Sequence, residues 1–111
     1  MKYYDKELLL RNRVKTFRKK KGWSQTELAK RSKTTQNTIS SFETGQYQPT
    51  AYLAGLMCKA LECEFEDLFY FVTIDEDTGK ETEISDVQLK EYMEKGEREN
   101  ERISDSYRGS N

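Results

Sequence analysis

The stretch Ser24–Glu43, SQTELAKRSKTTQNTISSFE, carries two helix starts in close succession. Ser24 offers an N-cap with Glu27 three residues on, a capping box, and Leu28 and Ala29 form the inward side of a short helix that ends near Ser32. Lys33 and Thr34 make the turn. Thr35 caps a second helix running to about Glu43, whose only large apolar residues are Ile39 and Phe42, before the break at Thr44-Gly45. Two helices that cross through so tight a turn need a small residue at closest approach, which is Ala29, and a branched residue opposite it, which is Ile39, with Phe42 extending the contact. That packing turns the other face of the second helix outward. It carries Thr35, Gln36, Asn37, Ser40 and Ser41, a set of amides and hydroxyls able to donate to and accept from the edges of bases or the oxygens of phosphates.

Working outward, Leu10, Val14 and Phe17 fall at spacings of four and three and predict a helix from Leu10 to the stop at Lys19-Lys20-Lys21-Gly22. Beyond the loop Gln46-Tyr47-Gln48-Pro49, Thr50 starts a helix with the stripe Leu53, Leu56, Met57, Ala60 and Leu61, and Phe65, Leu68 and Phe69 suit a short fifth helix. The period then changes. Tyr70, Val72 and Ile74 alternate with Phe71 and Thr73, and Asp77-Thr78-Gly79 turns the chain back into Thr82 and Ile84 as a hairpin. Ser85 with Gln88 caps a further helix to about residue 103, carrying Val87, Leu89, Tyr92 and Met93, and SDSYRGSN at 104–111 reads as a disordered tail.

Charge is divided along the chain. Residues 1–74 hold 13 Lys/Arg against 8 Asp/Glu, whereas residues 75–111 hold 6 against 12, so the overall net charge of −1 conceals a basic block followed by an acidic one. A basic block is the footprint of a polyanion binder, and Lys30, Arg31 and Lys33 flank the polar face just described. Cys58 and Cys63 stand in a chain without histidine, which excludes a zinc site of ordinary ligand count and a Cys–His nucleophile, and they read as core thiols. There is no Gly-rich phosphate loop either, so an enzyme is not expected, nor a metal or cofactor. The N-terminal apolar run is too short for a signal peptide and no stretch spans a bilayer, so the expected compartment is the cytoplasm, with no membrane partner.

Residues from about 10 to 69 resemble the lambda-repressor/Cro-type (Xre-type) helix-turn-helix domain of phage repressors and bacterial regulators. The resemblance lies in Phe17-Arg18, Lys21-Gly22-Trp23-Ser24-Gln25, Leu28-Ala29, Ile39, Phe42-Glu43, Gly45, Pro49, and the stripe leading into Asp67-Leu68-Phe69. It implies an all-α fold, a five-helix DNA-binding domain over 8–70, and sequence-specific double-stranded DNA binding as a transcriptional regulator, a repressor, with the helix at 35–43 in the major groove. By the same resemblance Gln36, Asn37 and Ser41, together with Ser40 on the same face, read bases, Gln36 foremost. Gln25 anchors a phosphate, and Arg18 and Glu43 form a structural ion pair. Lys30, Lys33, Thr35 and Tyr47 complete the expected phosphate contacts, with backbone N–H groups of the Thr44–Tyr47 loop beside Tyr47. The sequence departs from the family at Lys33, where Gly is usual; at Ser32, which replaces an apolar residue; and in the loop after the second helix, which lacks the usual Lys or Arg.

The extension at 71–103, a β-hairpin plus a helix, exposes more apolar residues than it can bury alone. Its expected role is oligomerisation, because a homodimer reads a palindrome where one helix reads too few base pairs. The competing reading is a protein-interaction module, an antitoxin or antirepressor that engages a protein partner through 71–103.

Overall fold

A computed structural model of the chain describes residues 6–95. In chain order the elements are β1 (Glu7–Asn12), α1 (Val14–Lys20), α2 (Gln25–Arg31), α3 (Gln36–Glu43), α4 (Ala51–Leu61), α5 (Phe65–Leu68), β2 (Phe69–Ile74) and β3 (Glu81–Glu83), followed by α6 from 86 to the last described residue, 95. The continuation of α6 to 103 and the tail at 104–111 lie outside the described residues. Two compact units result: residues 10–70, and residues 6–9 with 71–95.

The first unit holds the five expected helices, with one correction at its start. Leu10 belongs to a strand rather than to the first helix, which begins only at Val14. The local cause is Asn12, whose Oδ1 accepts the Val14 amide at 3.1 Å and so begins the helix there, while the Arg13 amide donates to the Leu68 carbonyl. Capping by Ser24, Thr35 and Thr50 is direct: each side chain accepts the backbone N–H three residues on. The box at Ser24 is half closed, because the Glu27 carboxylate is bonded to Arg31 Nε, one turn along α2. The core gathers Val14, Leu28, Ala29, Ile39, Phe42, Ala54, Met57, Leu61, Leu68 and Phe69, so α2 and α3 meet through Ala29, Ile39 and Phe42.

Two chain reversals depart from ordinary backbone. Lys33 takes φ +58° in the turn between α2 and α3, the left-handed region glycine enters freely, which costs a side-chain-bearing residue about 1–2 kcal/mol. Glu62 does the same at φ 55° behind α4, where the Cys63 amide returns to the Cys58 carbonyl. This 6→1 bond brings Cys58 and Cys63 together as the apolar contact such a helix end favours. Both thiols are free and half-buried, and Cys63 is pushed up to about 11, burial being the main cause.

In the second unit the sheet order is β1-β2-β3, with β2 and β3 antiparallel in the register Val72↔Glu83, Thr73↔Thr82 and Ile74↔Glu81. The fold is thus a helical domain with a small sheet, not all-α. The hairpin turn is set by Asp75, whose Oδ1 accepts the amides of Asp77 and Thr78, and by Gly79 at φ +73°. Val72 and Thr73 are both buried although successive strand residues face opposite sides, so both faces of β2 are covered. Ser85 and Gln88 exchange side-chain bonds with each other's backbone N–H and open α6, from which Tyr92 donates its hydroxyl to the Lys6 carbonyl at 2.7 Å.

One buried group is left over. Ser32 is fully buried, yet its hydroxyl has no hydrogen-bond partner among the described residues. Removing an unsatisfied buried hydroxyl recovers its desolvation penalty, so Ser32→Ala is expected to raise the stability measured by urea unfolding by about 1 kcal/mol. A destabilised variant would show that the hydroxyl is engaged.

Candidate nucleic-acid interface

The candidate surface begins with α3. Ile39 and Phe42 are buried, whereas Thr35, Gln36 and Asn37 are exposed and Ser40 and Ser41 half-exposed. The Thr35 hydroxyl oxygen accepts the Thr38 amide and is 2.9 Å from the Thr38 hydroxyl, so part of its capacity is used by the helix itself. Lys30 and Lys33 are exposed at the end of α2 and in the turn, and neither forms an ion pair with a described residue. Arg31 is engaged, bonded to Glu27 and stacked 4.2 Å over the Trp23 ring, and Lys21 holds Glu62 at 2.7 Å.

Behind α3 lies a chain of polar groups. Arg18 Nε donates to Glu43 Oε2 at 2.7 Å and its Nη2 to Glu43 Oε1 at 3.0 Å, a two-pronged pair whose side chains are 10% and 3% exposed. Its third nitrogen donates to the Trp23 carbonyl at 2.8 Å, which ties the turn between α1 and α2 to the same point. Burial alone would raise the Glu43 carboxyl; hydrogen bonds from Arg18 and Gln25, with the charges of Arg18 and Lys15, outweigh it and hold Glu43 below the usual carboxylate range. The hydrogen bond to Glu43 raises Arg18 in turn. Gln25 Nε2 donates to Glu43 Oε1 at 3.1 Å, and Gln36 Nε2 donates to Gln25 Oε1 at 2.7 Å.

This Arg18–Glu43–Gln25–Gln36 chain has a direction. A carboxylate only accepts, so the Gln25 amide must turn its NH2 inward, which leaves its oxygen for Gln36. Among the described residues Gln36 then keeps one N–H and its whole carbonyl oxygen free at the exposed start of α3. The links depend on how three helices cross, and nothing in residue spacing announces them.

The loop after α3 differs from expectation. Gln46 N–H returns to the Ser41 carbonyl and Gly45 N–H to the Phe42 carbonyl, closing the end of α3, so those two amides are consumed and do not face a phosphate. Tyr47 stacks on Phe42 with centroids 5.0 Å apart and is 49% exposed.

Two helices joined by a left-handed turn, the second presenting its polar face outward, define a helix-turn-helix protein. The helix-turn-helix family profile matches residues 14–68. An uncharacterised helix-turn-helix-type transcriptional regulator of Bacillus subtilis, YgzD, is 36% identical over 61 residues, covering 55% of this chain and 92% of that protein. One from Methanothermobacter thermautotrophicus is 39% identical over 72 residues, covering 64% of this chain and all of that protein. A crystallised protein of Bacteroides fragilis with an inferred DNA-binding role shares the fold at a TM-score of 0.51 and 23% identity, over 55% of this chain and 98% of that one. The chain belongs to the lambda-repressor/Cro-type (Xre-type) family of helix-turn-helix transcriptional regulators.

The ion pair makes a pH prediction. Because the folded Glu43 carboxyl lies below its unfolded value, near 4.3, the pair's contribution is fully present above that pH and is lost as pH falls through the depressed folded value. Glu43→Gln leaves Arg18 buried without its counter-charge, and a loss of about 3 kcal/mol at neutral pH is expected. The same variant should show a flatter decline in stability below pH 4.3 than the wild type, read by circular dichroism during acid titration.

Proposed function

We propose that this protein regulates transcription by binding double-stranded DNA sequence-specifically, with α3 in the major groove. The observation that carries the reading is the directed amide at the start of α3. Gln36 is exposed, held from behind by Gln25 and Glu43, and left with one donor and one acceptor. Adenine presents the complementary pair in the major groove, N7 to accept and N6–H to donate, and a glutamine fits it with both groups. Asn37, Ser40 and Ser41 follow on the same face and supply further base contacts.

Phosphate anchoring falls to the groups around that face. Lys30 and Lys33, without an ion pair among the described residues, supply charge ahead of α3, and Thr35 and Tyr47 supply hydroxyls at its two ends. Gln25 is the inner support of Gln36 and reaches a backbone oxygen only through the N–H it does not give to Glu43. A small protein seated on a promoter blocks access to it without any catalytic step, so repression is the mode proposed.

The second unit is proposed as the dimerising part. On α6, Leu89 and Tyr92 are half-buried while Val87 is 75% and Met93 59% exposed, apolar area left for a second copy of the chain. Two copies would present two α3 helices to half-sites about one helical turn apart, near 34 Å.

Two measurements test the proposal. Gln36→Ala is expected to weaken binding to a duplex selected from a random pool by about tenfold or more while changing affinity for unselected duplex little, because a good base contact is worth about 1–3 kcal/mol. Equal losses on both duplexes would remove the base-reading role. Val87→Glu with Met93→Glu is expected to leave a folded monomer by analytical sedimentation where the wild type is a dimer; a wild type that is itself monomeric would end the dimer proposal.

A further inference from the structure

Behind α4 the chain turns through Glu62 at φ 55°, and the turn sets Cys58 and Cys63 side by side. The Cys63 N–H donates to the Cys58 carbonyl at 3.0 Å, and the two thiols hydrogen-bond with each other. The following residue is pinned as well, since the Glu64 N–H donates to Asp67 Oδ2 at 3.0 Å and starts α5. Both cysteines are therefore held in place. An apolar contact at a helix end accounts for their pairing but not for their surroundings. An open cavity of about 360 Å³ is lined by Cys58, Lys59, Glu62, Cys63, Glu64 and Asp67, and a second of about 300 Å³ reaches the same two cysteines from the side of Ala54 and Phe65. The first presents three carboxylates against one ammonium, a field that draws cations.

We propose that Cys58 and Cys63 form a two-thiolate site for a soft monovalent metal ion, Cu(I). In a chain without histidine no metal was expected, and the turn behind α4 is what brings these two donors together. Thiolates are the ligands that soft ions select. Among the described residues no third Cys, His, Asp or Glu joins the pair in a group able to hold a metal. Zinc, which takes four ligands, is thereby excluded, whereas Cu(I) is satisfied by two thiolates in line. On binding, each thiol releases its proton to solvent and gives the ion a sulfur lone pair, and copper stays monovalent throughout. A disulfide is the other product open to two neighbouring thiols. Its formation starts from a thiolate, and the half-buried setting keeps both groups protonated until a metal displaces the proton. The open cavity gives the ion its way in.

The test uses the full chain, reduced and free of oxygen, titrated with Cu(I) presented as its bicinchoninate complex, whose colour fades as the ion leaves. One ion per chain is expected to move to the protein, with a thiolate-to-copper absorption band rising in the ultraviolet. X-ray absorption at the copper edge is expected to find two sulfur neighbours. Cys58→Ser and Cys63→Ser are each expected to abolish the transfer while keeping the wild-type helical signal in circular dichroism. The copper-edge measurement needs no variant, so the proposal stays open to refutation if either serine chain fails to fold. An equal concentration of Zn(II) is expected to leave the copper in place. No transfer from the complex, a sulfur count other than two, displacement by zinc, or transfer undiminished in both serine variants overturns the proposal.

Discussion

The buried pair of Arg18 and Glu43 is the constraint on which the arrangement of the first unit turns. An ion pair so enclosed gains little stability over an apolar contact, because desolvating both groups offsets most of their attraction. Its value lies in geometry. Three guanidinium nitrogens are assigned, two to Glu43 at the end of α3 and one to the Trp23 carbonyl before α2, so a single side chain on α1 fixes both helices of the motif. Sliding α3 by one residue would strand a charge in the interior. The pair also orders what lies in front of it, since Glu43 Oε1 can only accept and thereby dictates which way Gln25 faces.

Local signals in the sequence reached a long way into the first unit. Ser24, Thr35 and Thr50 stand at helix starts, Ala29, Ile39 and Phe42 lie in the core, and the stripe from Leu53 to Leu61 lies along α4 with Met57 and Leu61 buried. Each of those inferences needed only residues within a turn or two of one another. The strand at Glu7–Asn12 was not legible in that way. Leu8, Leu9 and Leu10 do not alternate, and the strand's partner, β2, lies some sixty residues later, so its pairing energy is invisible to any local window. Leu10 at helical distance from Val14 therefore read as helix. The one local clue was Asn12, a residue suited to begin a helix two positions on.

The candidate surface divides along the same line. Which side chains project from α3 follows from period and burial, and so does the position of Lys33 in the turn. How Gln36 is oriented does not, because its support comes from Gln25 on α2 and Glu43 at the far end of its own helix. Lys33 at φ +58° and Ser32 with an unmatched hydroxyl sit next to each other in that turn, so the stability lost there is concentrated between the two helices of the motif. Lys33 also brings charge to the edge of the candidate surface, which a glycine would not, and in the proposed complex its strain and its phosphate contact are two consequences of one substitution.

The outward face of α3 is neutral, and that fact shapes how a complex would discriminate. A cationic face attracts every duplex, because phosphates are the same in all sequences. A face of amides and hydroxyls attracts none in particular, and it rejects a mismatched base by leaving its own donors and acceptors desolvated without partners, at about 1–3 kcal/mol for each. Discrimination by that route requires the amide to be held, since a freely rotating Gln36 would simply turn to suit the wrong base. The chain of bonds running back to Arg18 supplies the restraint. In the proposed complex the interior ion pair and the exposed glutamine would thus form one device: the pair's rigidity, of small worth to stability, would be what lets a neutral face be selective.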